Sequence, residues 1–211
     1  MYNDLDLMIS FIIEHYKEIC LQWKESHEDE QFVNLKKKTI KNVLENIAIN
    51  DYIFDYSEFV TFYSVSICTD DVNFTKSQAR SRAKTHNSIN QKLVLYNSSD
   101  HQNGNVPIIK CLNDLLGFRL IIDDNFSFLD IQNYIETRYS NIEGYKLRCI
   151  DSSKNSYRAT HIYFSVKGSN YYFPCELQVW RKSDEVNNIF SHKIYKQEYT
   201  NWEKLAREER L

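Results

Sequence analysis

Apolar residues recur at helical spacing from the start of the chain. Leu5, Met8, Ile9, Ile12, Tyr16, Ile19 and Trp23 mark one stripe, which predicts an amphipathic helix capped by Asn3 or Asp4 and ending near Lys24. Ser26 to Glu30 is a polar break, and Val33, Ile40, Val43, Leu44 and Ile47 predict a second helix over 31–48. Tyr52 to Ile67 is aromatic and β-branched and fits helix and strand alike, and 70–76 has loop character. An extended entry over 79–84 leads into a helix that ends near Tyr96, and 97–105 has loop composition. Pro107 opens a short helix through Leu116, with Gly117 as its C′ residue. Phe118 to Ile122 reads as a strand, 127–139 as a helix, 145–150 as a strand and 151–156 as a turn. Strands over 159–166 and 171–180, separated by Lys167-Gly168-Ser169-Asn170, predict a hairpin, and a last helix spans 184–199. Helices first, then strands mixed with helices, is an α+β order.

Strand parity adds a prediction. Phe173, Cys175, Leu177 and Val179 point one way and Glu176, Gln178 and Trp180 the other; His161, Tyr163 and Ser165 likewise oppose Ile162, Phe164 and Val166. One sheet face is therefore core, and the other brings Glu176, Gln178 and His161 together.

Composition narrows the chemistry. The 211 residues are 42% hydrophobic and 14% aromatic, which suits one folded domain rather than a disordered chain. Net charge is −3, so no general basic field draws nucleic acid, and a phosphate site has to be a local cluster of cations. No glycine-rich phosphate loop occurs, so side chains do that work. The five cysteines are scattered with no Cys-x-x-Cys, which argues against zinc and for buried thiols in a reducing cytoplasm. The longest apolar run is too short to span a membrane. Lys36-Lys37-Lys38 with Lys41 is either a solvated face or a docking patch for RNA or another anionic partner.

The cations that suit phosphate lie in Arg82-x-Lys84-x-x-x-Ser88-x-x-x-Lys92. On a helix, Lys84, Ser88 and Lys92 share a face. Asp114-x-x-Gly117-x-Arg119 places a carboxylate and a guanidinium at one helix-to-strand corner. Asp114 and Glu176 together suit Mg²⁺, a hard cation held by one or two carboxylates plus substrate phosphates. Tyr157 reads as an exposed aromatic placed to stack on a base.

With Tyr157-x-x-x-His161, Glu176-Leu177-Gln178 and His192-x-x-Tyr195-Lys196, these blocks resemble the synthetase domain of RelA/SpoT-type alarmone synthetases over about 79–199. The Arg-x-Lys-x-x-x-Ser-x-x-x-Lys block alone recurs by chance about once in 10⁵ positions at average residue usage. No His-x-x-x-His-Asp hydrolase motif occurs, so the chain looks like a single-domain small synthetase, with a helical part (1–50) packed on a synthetase domain (51–211).

The resemblance implies a nucleotidyltransferase-like mixed β-sheet flanked by helices. It implies transfer of the β,γ-pyrophosphate of ATP to the 3′-hydroxyl of GDP or GTP, giving (p)ppGpp and AMP, with Mg²⁺ as cofactor. Carried over, Arg82 and Arg119 sandwich the adenine, and Lys84, Ser88 and Lys92 hold the triphosphate. Asp114 and Glu176 bind Mg²⁺, and Glu176 accepts the hydroxyl proton. Tyr157 stacks on the acceptor base, while His161, Gln178 and His192 position phosphates. Two departures stand on the acceptor side: Ser156 replaces a usual Gly, and Trp180 falls where Arg is frequent, so Arg181 is expected to substitute one step on. Two alternatives stay open: a toxic synthetase that modifies the 3′ end of tRNA, paired with an antitoxin, and an inactive nucleotide-binding regulator. A homo-oligomer is compatible with either.

Overall fold

A computed structural model of the chain describes residues 2–28, 32–70 and 79–194. Helix α1 (Tyr2–Ser26) buries Leu5, Met8, Ile9, Ile12, Tyr16, Ile19, Cys20 and Trp23, the stripe its spacing predicts with one cysteine added. Each fully buried side chain of this size contributes about 1.5–3 kcal/mol by transfer from water.

The predicted second helix is not one element. A turn over 35–37 and a bridge at Thr39 precede α2 (Ile40–Glu45), and Asn46 separates it from α3 (Ile47–Asp70). The reason is local. Asn34 caps the turn through the amides of Lys36 and Lys37, and Thr39 and Asn42 form a capping box that restarts the helix. Asn46 then accepts from the amide of Ile49 and starts α3. Lys36, Lys37, Lys38 and Lys41 are exposed on this turn and short helix. The ambiguous stretch from Tyr52 resolves as helix, with Tyr52, Ile53, Tyr56 and Val60 buried.

Next come β1 (Ala79–Ala83), α4 (His86–Tyr96), a 3₁₀ turn (Ser99–Gly104), α5 (Ile108–Cys111) and β2 (Leu116–Ile122). Then follow α6 (Phe128–Arg138), β3 (Tyr145–Asp151), β4 (Thr160–Val166), β5 (Cys175–Arg181) and a helix α7 over 185–194. Helix α6 opens on a capping box at Ser127 and Asp130. The remainder of the expected last helix, 195–199, lies outside the described residues, as does 71–76 of the expected loop.

The strands form one five-stranded mixed sheet in the order β1-β2-β5-β4-β3. Only β2 and β5 run parallel. The fold class is thus α+β, a mixed sheet flanked by helices, as expected. Leu116, Phe118, Leu120, Leu177, Val179, Ile162 and Phe164 are buried on the core face. Helices α1 and α3 cover that face. The Tyr16 hydroxyl donates to the Phe173 carbonyl (2.8 Å), the Phe11 ring meets Phe118, and the Tyr56 ring meets Phe173. A division at residue 50 would cut through α3, and one hydrophobic cluster takes residues from both sides of it.

Candidate active site

The opposite face of the sheet is polar, and register decides who meets whom there. Across it run Arg82, Gly117, Glu176 and Tyr163 in one row, and Arg80, Arg119, Gln178 and His161 in the next. Gly117 is inside β2, not a helix C′ residue. A Cβ on it would sit in ordinary contact with Arg82 (3.5 Å), so its bareness leaves floor space between Arg82 and Glu176.

Lys84 is not on the helix. The β1–β2 ladder continues one step past β1, where the Lys84 amide donates to the Leu115 carbonyl (2.8 Å). That bond sets Lys84 beside Asp114, which lies in the turn after α5 rather than in a helical last turn. Thr85 then caps α4 by accepting from the Ser88 amide. Lys92 comes from the middle of α4, with Ile89 and Leu93 buried beside it. The two ammonium groups converge: Lys84 Nζ is 2.6 Å from Asp114 Oδ2 and Lys92 Nζ is 3.0 Å from Oδ1, with Arg82 Nη2 at 4.0 Å. Ser88, in the first turn of α4, accepts from the Thr85 hydroxyl (3.0 Å) and does not join this cluster directly.

Asp114 is buried, which alone would raise its pKa, but the charges of Lys92 and Lys84 hold it well below the usual carboxylate range. The two lysines respond in opposite directions. Burial and the positive charges of Lys92 and Arg82 pull Lys84 below its ordinary value despite Asp114. For Lys92, burial works the same way, but Asp114 prevails and raises it. Lys84 is thus the lysine held less firmly as a cation.

A second set closes a ring on the sheet face. Arg119 Nη2 donates to Gln178 Oε1 (3.2 Å), and Gln178 Nε2 donates to Glu176 Oε2 (2.8 Å). His161 Nδ1 lies 2.9 Å from Glu176 Oε1, and Tyr163 donates to that same oxygen (3.0 Å). His161 Nε2 pairs with the Tyr157 hydroxyl (2.9 Å), to which Trp180 Nε1 donates (3.3 Å). The Arg119 guanidinium lies 3.5 Å from the centroid of the Trp180 ring, which completes the circuit. Glu176 is buried, which disfavours its charge, yet the hydrogen bond and charge of His161 leave its pKa lowered on balance. The charge of Asp114 raises it, so the two carboxylates sense each other within one site.

Tyr157 is therefore not an exposed platform. It is half-buried, its ring meets Trp180 and His192 edge-on, and burial pushes its hydroxyl up to about 12. His192, on α7, stacks on Trp180 with centroids 5.7 Å apart, and its buried Nε2 has no partner. Burial and then the charge of Arg119 hold it down to about 4, so it is neutral at pH 7. Burial, followed by the charge of Arg82, lowers Arg119 to about 10, and its Nε is also buried without a partner. Arg181 does not stand in for a cation on this face. It alternates to the other side of β5 from Trp180 and pairs with Asp184 (2.7 Å).

All eleven residues singled out from the sequence thus lie around one sheet face or its rim. Two unassigned residues join them. Trp180 shares strand parity with Glu176 and Gln178, which was the available signal, and Tyr163 shares parity with His161. Tyr195 and Lys196 lie outside the described residues. Among the described residues no group of three or more His, Cys, Asp or Glu side chains is arranged to hold a metal ion.

The sequence model of a region found in RelA/SpoT proteins matches residues 81–200. Among curated proteins, none matches the chain in sequence. Similar solved structures include small alarmone synthetase 2 from Bacillus subtilis, 20% identical, covering 69% of this chain and 78% of that one at a TM-score of 0.40. Small alarmone synthetase 1 from Bacillus subtilis, solved with its product pppGpp, is 14% identical over 72% and 81% of the two chains, at 0.42. A GTP pyrophosphokinase family protein from Streptococcus pneumoniae is 13% identical over 77% and 87%, at 0.46.

Proposed function

From the premise that this chain belongs to the RelA/SpoT family, we propose that it is a pyrophosphokinase. It transfers the β,γ-pyrophosphate of ATP to the 3′-hydroxyl of GDP or GTP. The observation that carries the reading is the charge-saturated Asp114, with Lys84 and Lys92 each on one of its oxygens and Glu176 in the same site. Such a cluster is ready for partner exchange: Lys84 and Lys92 would turn to triphosphate oxygens, and the freed Asp114 carboxylate would be open to hold a cation.

Mg²⁺ fits this donor set. Asp114 and Glu176 supply hard oxygens from two elements, and the rest of the coordination shell would come from phosphates and water, as is usual for this ion. When bound, it would neutralise charge on the transferring phosphates. Arg82, half exposed beside Arg119, offers its guanidinium to the adenine from one side. Arg119 already has Trp180 on one face, so the base takes its other face and the stack is Arg82, adenine, Arg119, Trp180.

In the transfer, a bond forms between the acceptor 3′-oxygen and the β-phosphorus. The bond from that phosphorus to the α–β bridging oxygen breaks, and AMP leaves with the electron pair. The hydroxyl proton passes to Glu176. With its pKa lowered, Glu176 is ionised at neutral pH but is a weak base, so its main service is to orient the hydroxyl and receive the proton late in a loose transition state. His161, Tyr163 and Gln178 hold its two oxygens in place for that task. Tyr157 and His192 line the acceptor side.

The test is transfer of label from γ-labelled ATP with Mg²⁺ to GDP, GTP or deacylated tRNA offered separately. Label on GDP or GTP is expected. Label on tRNA alone would move the acceptor to RNA, and nucleotide binding without transfer to any acceptor would leave a regulator.

A further inference from the structure

Helix α7 is docked in an unusual way. Val186 and Phe190 on it are 77% and 61% exposed, and Ile189 and Ile194 are exposed as well, so no apolar stripe seats it. The residues that tie it down come from one face at helical spacing: Asn188 and Ser191 by hydrogen bonds, His192 by its ring contacts with Trp180 and Tyr157. Asn188 is fully buried. Its Oδ1 accepts from the Arg158 amide (2.7 Å) and its Nδ2 donates to the Arg158 carbonyl (2.8 Å). Both halves of one side-chain amide thus close on a single backbone unit, the residue after Tyr157. Ser156 and Ser191 add a hydroxyl pair at 2.9 Å.

The segment so held is a tight turn. Lys154 and Tyr157 exchange both backbone hydrogen bonds (3.0 and 2.9 Å), and Asn155 takes a positive φ of 53°. The turn ties itself together, and the Asn188 grip on Arg158, with the Ser156–Ser191 pair beside it, sets its distance from α7. That distance decides whether Tyr157 reaches His192 (5.2 Å between ring centroids) and His161 (2.9 Å) together.

We propose that Asn188 is the positioning residue of the acceptor side: by gripping the Arg158 backbone it sets Tyr157 and His192 in register. The assignment rests on the reading above that these two residues line the acceptor side. Asn188→Ala should raise the acceptor KM about tenfold, the scale of two lost hydrogen bonds, while the ATP KM and kcat stay within about threefold. Asn188→Asp keeps the oxygen that accepts from Arg158 and should fall between the two. Amide exchange of Asn188→Ala, which needs no turnover, should quicken over 152–158 and 185–194 and stay unchanged in β2 and β5. An unchanged acceptor KM, equal rises in both KM values, or unchanged exchange in those two segments would overturn the proposal. A wild-type protein inactive on every acceptor would remove the catalytic reading alone, and the exchange measurement would still decide the clamp. If Asn188→Ala does not fold, the same two readouts on Asn188→Asp decide it.

Discussion

The two halves of this site are held in opposite ways. The Lys84–Asp114–Lys92 cluster is held by charge, and every strong donor in it meets one carboxylate. The ring through Arg119, Gln178, Glu176, His161, Tyr157 and Trp180 is held by directed hydrogen bonds and stacked planes. A charge cluster can trade partners when a polyanion and a cation arrive, because each exchange replaces one ion pair with another. In the ring each partner is fixed by direction and by stacked planes as well as by charge, so it is preorganised and resists displacement. On the proposed reading, the cluster that would take the triphosphate is built to rearrange on binding, and the ring that would aim the hydroxyl is built to stay.

The largest effects should come from breaking each half at its centre. Glu176→Gln keeps the shape of the ring and removes the charge, so transfer should fall about 10³-fold while ATP affinity measured by calorimetry stays nearly constant; turnover near the wild-type rate would take Glu176 out of its role. Asp114→Asn leaves two buried lysines without a counter-charge and should cost about 3–5 kcal/mol of stability in denaturant unfolding. Adding Lys92→Met to Asp114→Asn should restore part of that loss, because only one buried ammonium then remains uncompensated. If the double variant is less stable than Asp114→Asn, charge is not what holds this half.

Arg119→Lys is a smaller test of the ring. An ammonium cannot lie flat on Trp180 or fork to Gln178, so the ATP KM should rise about tenfold with little change in melting temperature. The smallest effect concerns pH. His192 has a folded pKa of about 4 against an ordinary 6.5, so folding favours its neutral form. Its contribution is complete above pH 6.5 and is lost as pH falls towards 4. The slope of unfolding free energy between those values should flatten in His192→Gln, and an unchanged slope would assign the acid sensitivity elsewhere.

Local order in this chain was legible wherever one period ran unbroken. The α1 stripe, the Ser127 start of α6 and the strand parity of Glu176, Gln178 and His161 all follow from spacing, because 3.6 and 2 are properties of backbone geometry. Reading failed where capping residues interrupt a periodic run. Thr39 and Asn46 split the expected helix over 31–48, since their side chains satisfy end amides better than an interior helix position would. The spacing of Lys84 to Lys92 predicts a shared helical face, but Thr85 caps the helix one residue later and leaves Lys84 in the strand ladder.

The residue types alone determined that any phosphate site in this chain had to be a local cluster of cations, that two carboxylates lie on neighbouring elements, and that one sheet face would be polar. Only the tertiary structure decided who meets whom. Asp114 lies 30 residues from Lys84 and Arg119 lies 59 from Gln178, and such pairs depend on strand order and register, which no local period encodes. The same is true of Trp180. Its parity sets it on the polar face, but only the tertiary structure buries the indole there and brings Arg119 and His192 against its ring.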